Sequence, residues 1–191
     1  MLVAPPTLVF DKDASQAARD GLVWRSATPT DADPIAAAIE TWWARHLRHF
    51  VHPLFLEHFG DTCLVVEDEG KLVAFLVGML SQRHPEEAYV HFLGVHPDYR
   101  RLGLGRELYE RFAALVRRRG RTVIAAETGA FNAPSIAFHR RLGFTLEDGD
   151  ELVNGVPVTR DFHGTGEDVV LFSLRLEARG FESRVQPGAA G

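Results

Sequence analysis

Residues 88–112 read AYVHFLGVHPDYRRLGLGRELYERF, and this stretch decides the fold because it joins a strand, a loop and a helix. Its first eight residues are a short and mainly apolar run, which is typical of a buried strand. Pro97 breaks that run, and apolar residues then recur three or four positions apart, as on one face of a helix. The stretch therefore predicts a strand over 88–95 and a helix over 104–119.

The start of the predicted helix has the composition of a phosphate-binding site. A helix start exposes unpaired backbone N–H groups and carries partial positive charge. Gly103 and Gly105 leave room for a ligand to approach the backbone, while Arg100, Arg101 and Arg106 offer charge-assisted hydrogen bonds. The sequence lacks G-x-x-x-x-G-K-[ST], and a leucine replaces the third glycine of G-x-G-x-x-G, which excludes two common phosphate loops. A turn beside a solvated arginine face remains the alternative.

The rest of the chain alternates predicted strands and helices within one domain over 21–178. Residues 1–20 are predicted to be loose, and residues 179–191 to form a flexible tail. The order, strands first and then strand–helix–strand–helix–strand, is typical of an α/β layered domain with a mixed sheet. Strands are predicted over 22–28, 88–95, 122–128, 144–147 and 168–177 with a hairpin in 62–80, helices over 33–45, after Pro53, over 104–119 and over 132–143, and a loop over 148–167.

Composition narrows the class of protein and its compartment. The formal net charge of −5 argues against a general nucleic-acid binder, which would be basic. Cys63 is the single cysteine, so no internal disulfide forms and a reducing compartment fits best. No apolar run approaches the roughly 18–20 residues that span a bilayer. These features predict a cytoplasmic protein without a membrane or nucleic-acid partner.

A second motif, NAPSIAFHRRLGF at residues 132–144, follows the first by about 30 residues. Together the two motifs resemble the GCN5-related N-acetyltransferase (GNAT) family, whose pattern is Val-x-Pro and [RQ]-x-x-G-x-[GA], then Asn and Leu-Gly-Phe around a later helix. The resemblance implies a mixed, mostly antiparallel sheet of six to seven strands with a central parallel splayed pair, flanked by about four helices. The matching residues are Val95, Pro97, Arg100, Gly103, Gly105, Asn132, Leu142, Gly143 and Phe144.

The resemblance also implies acetyl-CoA as cosubstrate, bound where the strands 88–95 and 122–128 diverge. Strand backbone would pair with the pantetheine arm, helix-start amides would hold the pyrophosphate, and Asn132 would bond the cosubstrate from the opposite wall. No metal is predicted, because the series His46, His49 and His52 is followed by Pro53 and lacks a cysteine or carboxylate partner. The predicted cosubstrate residues are Leu93, Gly94, Val95, Arg100, Arg101, Leu102, Gly103, Leu104, Gly105, Arg106, Asn132, Ser135 and His139.

Three residues are candidates for proton transfer. His139 stands where the family usually has a tyrosine that protonates the departing thiolate, although it is also compatible with an ordinary helix hydrogen bond. Strand alternation puts His91 on one face with Tyr89, Leu93 and Val95, and the family often has an acidic base at that position. His91 is therefore the first choice for the base. Glu127, at the end of the next strand, is the second choice, with a solvated carboxylate as its alternative.

The predicted activity is acetyl transfer from acetyl-CoA to a primary amine by direct attack in a ternary complex. A non-catalytic acyl-CoA-binding module and an unrelated phosphate-ligand enzyme are the alternatives. The resemblance places the acceptor, either a small-molecule amine or a protein amino group, between 41–59 and 148–167, and it is compatible with a homodimer. The sequence leaves open the acceptor's identity, the acyl length and the oligomeric state. Candidate acceptor-site residues are Trp42, Trp43, Phe50, Phe55, Glu57, Asp150, Glu151 and Asp161.

Overall fold

A computed structural model describes residues 21–44 and 50–176. The predicted loose segment 1–20 and the tail 179–191 lie outside the described residues. The helices are α1 (Ala32–Trp43), α2 (Pro53–Phe59), α3 (Leu104–Arg118) and α4 (Ala133–Leu142). The strands are β1 (Val23–Ser26), β2 (Leu64–Asp68), β3 (Lys71–Leu80), β4 (Glu87–Val95), β5 (Val123–Gly129), β6 (Thr145–Leu146), β7 (Glu151–Val153), β8 (Val156–Val158) and β9 (Val169–Arg175).

Seven strands form the main sheet in the order β1-β2-β3-β4-β5-β9-β6. Only β4 and β5 run parallel within the described part of this sheet, and every other neighbouring pair is antiparallel. The crossover between the two parallel strands is α3, as a parallel connection requires. The predicted mixed sheet, the central parallel pair and the four flanking helices are confirmed.

The parallel ladder between β4 and β5 covers only part of either strand. It runs from Glu87 paired with Val123 to Val90 paired with Ala126. Both strands continue beyond that point, β4 held by β3 and β5 held by β9. The backbone groups of residues 91–95 that face β5 therefore have no partner strand within the described sheet. This is the divergence that the sequence predicts.

A β-bulge at His91 changes which side chains share a face of β4. Across the β3–β4 pair, Val77 is opposite Phe92 and Gly78 is opposite Val90, so His91 is the extra residue. Leu93 and Val95 consequently pack into the core beside α3, on the side of Val90. The prediction that Leu93 and Val95 share a face with Tyr89 and His91 is wrong, because simple alternation assumes a strand without a bulge.

Helices cover both faces of the sheet and create two apolar cores. The larger core lies under α3 and α4, where Leu108, Phe112 and Val116 of α3 are fully buried at helical spacing. The smaller core lies under α1 and α2, where Ile35 and Ile39 are fully buried. One face of β4 and β5 is therefore covered by α3 and α4, and the other face by α1 and α2.

The predicted loop 148–167 contains a short hairpin, so that prediction is wrong in part. β7 and β8 pair antiparallel around the two-residue turn Asn154-Gly155, where both residues have positive φ angles of 52° and 76°. Asn-Gly is a strong signal for this type of tight turn. The dipeptide Asn154-Gly155 therefore indicates a hairpin, although the Gly- and Asp-rich composition of 148–167 favours a loop.

Gly78→Ala should destabilise the fold. A Cβ at position 78 would lie 2.6 Å from Cε2 of Phe112, whose ring is fully buried. We expect a loss of about 1–3 kcal/mol in the free energy of unfolding, measured by urea titration. Gly21→Ala is the control, since its nearest atom is 3.9 Å away. Equal unfolding midpoints for the two variants would contradict this packing.

Candidate active site

The start of α3 has backbone N–H groups that no side chain caps. Gly103 is the N-cap residue with φ of 83°, and no side chain caps the helix. Arg101 also adopts a left-handed conformation with φ of 70°, so the loop turns sharply just before the helix. Arg106 is exposed beside the first turn. An uncapped helix start flanked by an arginine is suited to an anion such as pyrophosphate.

A hydrogen bond between Tyr99 and Asp68, which the sequence did not predict, fixes the loop before α3. The Tyr99 hydroxyl donates to the Asp68 carboxylate at the β2–β3 turn, which raises the pKa of the Tyr99 phenol. The two residues are distant in sequence, and no local pattern signals their contact. The bond anchors the loop that carries Arg100 and Arg101 to the main sheet.

Elements from three parts of the chain meet beside Gly105. A Cβ at this position would lie 3.1 Å from Cζ of Phe138 on α4 and 3.7 Å from Cδ2 of Leu93 on β4. Any side chain here would therefore crowd the opening between β4 and β5. The structure brings the predicted residues Leu93 and Gly105 together, next to the unpaired stretch of β4.

Asn132 caps the helix that follows β5. Its side-chain Oδ1 accepts a hydrogen bond from the Ser135 N–H at 3.2 Å, and its Nδ2 donates to the Thr128 hydroxyl at 3.2 Å. Local capping explains an asparagine at this position without a ligand. The cosubstrate roles of Asn132 and Ser135 remain predictions.

His139 is buried in the larger core, where only 7% of the residue is exposed. Its Nδ1 lies 2.9 Å from the Ser135 carbonyl oxygen, which can only accept, so Nδ1 carries the proton of the neutral ring. Nε2 therefore accepts from the Tyr109 hydroxyl at 2.8 Å. The ring also stacks on Phe172 at 4.5 Å. Burial lowers the pKa of His139, partly opposed by the Ser135 carbonyl, so the neutral form is favoured.

A second set of polar side chains lies on the opposite face of the sheet. We call Tyr89, His91, Glu127 and His163 the Glu127 cluster. His163 Nε2 lies 2.5 Å from Glu127 Oε1. Glu127 Oε2 is buried and is one of two buried side-chain polar atoms without a hydrogen-bond partner among the described residues. The structure thus joins the predicted residues His91 and Glu127 and adds His163, which lies 36 positions from Glu127 and has no sequence signal.

Burial and mutual charge shape the protonation of the Glu127 cluster. Burial lowers the pKa of His91, with the Glu127 carboxylate partly opposing that shift. Burial raises the pKa of Tyr89 above its ordinary value, and the Glu127 carboxylate raises it further through its charge and through a hydrogen bond from the Tyr89 hydroxyl. His91 is therefore neutral near pH 7 and able to take a proton, while the Tyr89 phenol keeps its own.

The predicted aromatic wall divides between the site and the core. Phe50 and Phe55 lie beside His91, with ring centroids 6.1 and 6.4 Å from the imidazole. Trp42 instead stacks on the buried Phe75 at 5.7 Å, and Trp43 lies 6.1 Å from the same ring. The two tryptophans therefore belong to the packing under α1, and the two phenylalanines border the Glu127 cluster.

The described residues contain no group of three or more histidine, cysteine, aspartate or glutamate side chains placed to hold a metal ion. His46 and His49 lie outside the described residues. No helix in the described ranges has the length and hydropathy needed to cross a membrane.

A parallel strand pair that opens beside an uncapped helix start is the arrangement that the resemblance to the acetyltransferase family implies. The family model described as "Acetyltransferase (GNAT) family" matches residues 23–144, and the chain belongs to this family.

Relatives and solved structures agree with that assignment. The [ribosomal protein bS18]-alanine N-acetyltransferase of Escherichia coli is 32% identical over 110 residues, which cover 56% of this chain and 66% of the relative, just under two thirds of its length. Ard1 from Thermoplasma volcanium has a TM-score of 0.69 at 18% identity, covering 83% of this chain and 99% of that one. The putative acetyltransferase yncA from Salmonella typhimurium, solved with acetyl-CoA, has a TM-score of 0.59 at 21% identity, covering 90% and 100%.

Stability should fall as the pH drops below about 6.5, because His91 and His139 have lowered pKa values in the folded protein. The unfolded histidines take up protons in a pH range where the folded ones resist protonation, so acid favours unfolding, by at most about 1.4 kcal/mol per pH unit for each group. Urea titrations between about pH 7.5 and 5.5 measure this slope.

His139→Phe should remove part of that slope, and the same replacement at the exposed His58 is the control for the change of residue type. A His139→Phe variant with the wild-type slope would show that the imidazole titrates normally in the folded state.

Proposed function

We propose that the protein is an N-acetyltransferase that moves an acetyl group from acetyl-CoA directly to a primary amine in a ternary complex. One observation carries this proposal. The gap between β4 and β5 has an uncapped helix start beside its wide end and a buried carboxylate on the other face of the sheet. Two ligands can therefore approach the same gap from opposite faces, which direct transfer requires.

The residues present fit acetyl-CoA. We assign the backbone of Leu93, Gly94 and Val95 to the pantetheine arm, because their β5-facing groups lack a partner strand. We assign the pyrophosphate to the amides of residues 101–106 and the side chains of Arg100, Arg101 and Arg106. Bound acetyl-CoA supplies a thioester carbonyl that an amine can attack.

The Glu127 cluster accounts for the first proton transfer. An alkyl ammonium with a pKa near 10.4 is neutral in roughly one molecule of 2,500 at pH 7, so a base must receive its proton. Glu127 Oε2 has no hydrogen-bond partner by atom distance among the described residues, but it is buried and its carboxylate also interacts with the Tyr89 hydroxyl. The amine must therefore take the place of that hydroxyl to reach Glu127. His91, neutral near pH 7, is available as the next acceptor. We assign contact with the amine to Glu127, with His91 beside it.

We assign the second proton transfer, to the departing thiolate, to His139, and it requires that a hydrogen bond of the His139 ring first breaks. The thiolate that leaves must be protonated, and His139 stands at the position of the family's tyrosine. Its Nδ1 carries the proton of the neutral ring and its Nε2 accepts from Tyr109. The ring can therefore donate only from Nδ1, after that N–H leaves the Ser135 carbonyl, while Nε2 takes up a proton from the Tyr109 hydroxyl or from water. Water is the alternative donor for the thiolate.

The acceptor is proposed as a small-molecule amine or a protein amino group, and the Escherichia coli relative is named for action on an alanine of a ribosomal protein. A non-catalytic acyl-CoA-binding module is less favoured. A buried carboxylate oxygen without a partner costs about 1–3 kcal/mol or more, and binding of acetyl-CoA alone does not require that cost. A cytoplasmic location and a homodimer remain predictions.

Glu127→Gln should lower kcat/KM for the amine by about 10²–10⁴-fold, because the amide is not a base. The affinity for coenzyme A should change less than about twofold, since this residue lies on the other face of the sheet from α3. Thiol release from acetyl-CoA over a panel of amines measures the rate. Glu110→Gln, an exposed change on α3, is the control. Wild-type turnover by Glu127→Gln would rule out Glu127 as the base.

Gly103→Glu should abolish binding of coenzyme A, because a carboxylate would enter the anion site at the start of α3. Calorimetric titration measures the affinity, and circular dichroism checks the fold. Gly155→Glu is a matched control, since Gly155 has a similar φ of 76° in the β7–β8 turn with open space around it. Unchanged affinity in a folded Gly103→Glu protein would move the pyrophosphate site elsewhere.

A further inference from the structure

A cavity of about 450 Å³ lies next to the Glu127 cluster. Its apolar walls are Phe59 of α2, Met79 and Leu80 of β3, and Tyr89 of β4. The turn between β3 and β4 and Glu87 at the start of β4 supply the remaining lining. Tyr89 belongs to both the cavity and the Glu127 cluster, so the two adjoin at this residue.

The cavity and the cluster share one face of the sheet. Met79 is directly opposite Tyr89 in the antiparallel pair, and opposite residues of such a pair project to the same side. Phe55 connects the two regions, because its ring lies 4.7 Å from Phe59 and 6.4 Å from His91. Apolar and aromatic side chains therefore follow one another on this face from Met79 to His91, whereas Leu80 packs against the larger core.

The cavity offers little support for a second positive charge. Among its lining residues, Arg83 offsets the single carboxylate, Glu87. Burial raises the pKa of Glu87, which further weakens it as a partner for an ammonium group. The nearby free carboxylate oxygen belongs to Glu127, and the proposed reaction uses it for the amine that is acetylated.

We infer that the acceptor is a primary amine with an apolar group attached near its nitrogen, and that this group occupies the cavity formed by Phe59, Met79, Leu80 and Tyr89. This inference rests on the proposed function. The cavity accommodates a side group of leucine or phenyl size. A neighbouring cavity of about 430 Å³ shares Phe59 and Leu80 with it.

Two matched pairs of acceptors test the inference and show whether the acceptor is a small-molecule amine or a protein amino terminus. Pentylamine is compared with 1,5-diaminopentane, and the peptide Leu-Ala-Ala-Ala with Asn-Ala-Ala-Ala, which has a polar first side chain of similar shape. We expect kcat/KM to favour the apolar member at least about tenfold in the series that is acetylated. Turnover of the amines identifies a small-molecule acceptor, and turnover of the peptides identifies a protein amino terminus.

Met79→Gln tests the cavity itself, because it keeps the side-chain length and adds a polar amide. The preference for the apolar acceptor should fall by at least about threefold, roughly the contribution of one buried methylene, while KM for acetyl-CoA stays the same. Val23→Gln is the control, since Val23 is an exposed apolar residue on β1 at the far edge of the sheet. An unchanged preference in Met79→Gln would overturn the inference.

Other outcomes separate this inference from the proposed function. Equal or faster turnover of the diamine and the asparagine peptide would overturn the inference and leave acetyl transfer intact. Absence of thiol release with all four acceptors and with the wider amine panel would contradict the proposed function instead. In that case the melting temperature would be measured with coenzyme A and either amine. A larger increase with pentylamine than with 1,5-diaminopentane would support an apolar ligand in the cavity, and the reverse order would overturn the inference.

Discussion

The divergence of β4 and β5 is the constraint on which the rest of the site depends. Four residues on each strand pair in parallel, and beyond Val90 and Ala126 the two strands follow their outer neighbours instead. Unpaired backbone groups are costly when buried, so such a gap persists only where solvent or a ligand can satisfy them. Different helix layers cover the two faces of the sheet beside this break in the ladder.

The bulge at His91 determines which side chains of β4 lie on each face of the sheet. It lets Leu93 and Val95 pack toward α3 while Tyr89 and His91 remain on the side of Phe55. Apolar side chains on the face of α3 and polar side chains of the Glu127 cluster on the other face therefore come from one strand. A regular strand would have mixed them, since alternation would place all four side chains on one face.

The two predicted histidines have contrasting environments although burial lowers the pKa of each. His139 has both ring nitrogens engaged and a stacked aromatic neighbour, so it also serves the packing of α4 on the sheet. His91 lies among aromatic rings beside Glu127, whose second oxygen has no partner in the described part of the chain. The hydrogen bonds of His139 satisfy both ring nitrogens, as expected for a residue that packs in a core. The surroundings of His91 leave one oxygen of Glu127 without a geometric hydrogen-bond partner among the described residues, which is more typical of a functional site.

The order of strands and helices in the sequence determined the mixed sheet, because apolar periodicity, Pro97 and the glycines act over a few neighbouring residues. The parallel pair followed from the resemblance of the two motifs to the GNAT family, and an anion site at the start of α3 remains a prediction. Only the tertiary structure revealed the bulge, the pairing of Glu127 with His163, the Tyr99–Asp68 anchor and the cavity beside Tyr89. Each of these joins segments that are distant in the chain or depends on strand register. Local patterns fix which elements form, whereas packing between elements fixes which side chains meet.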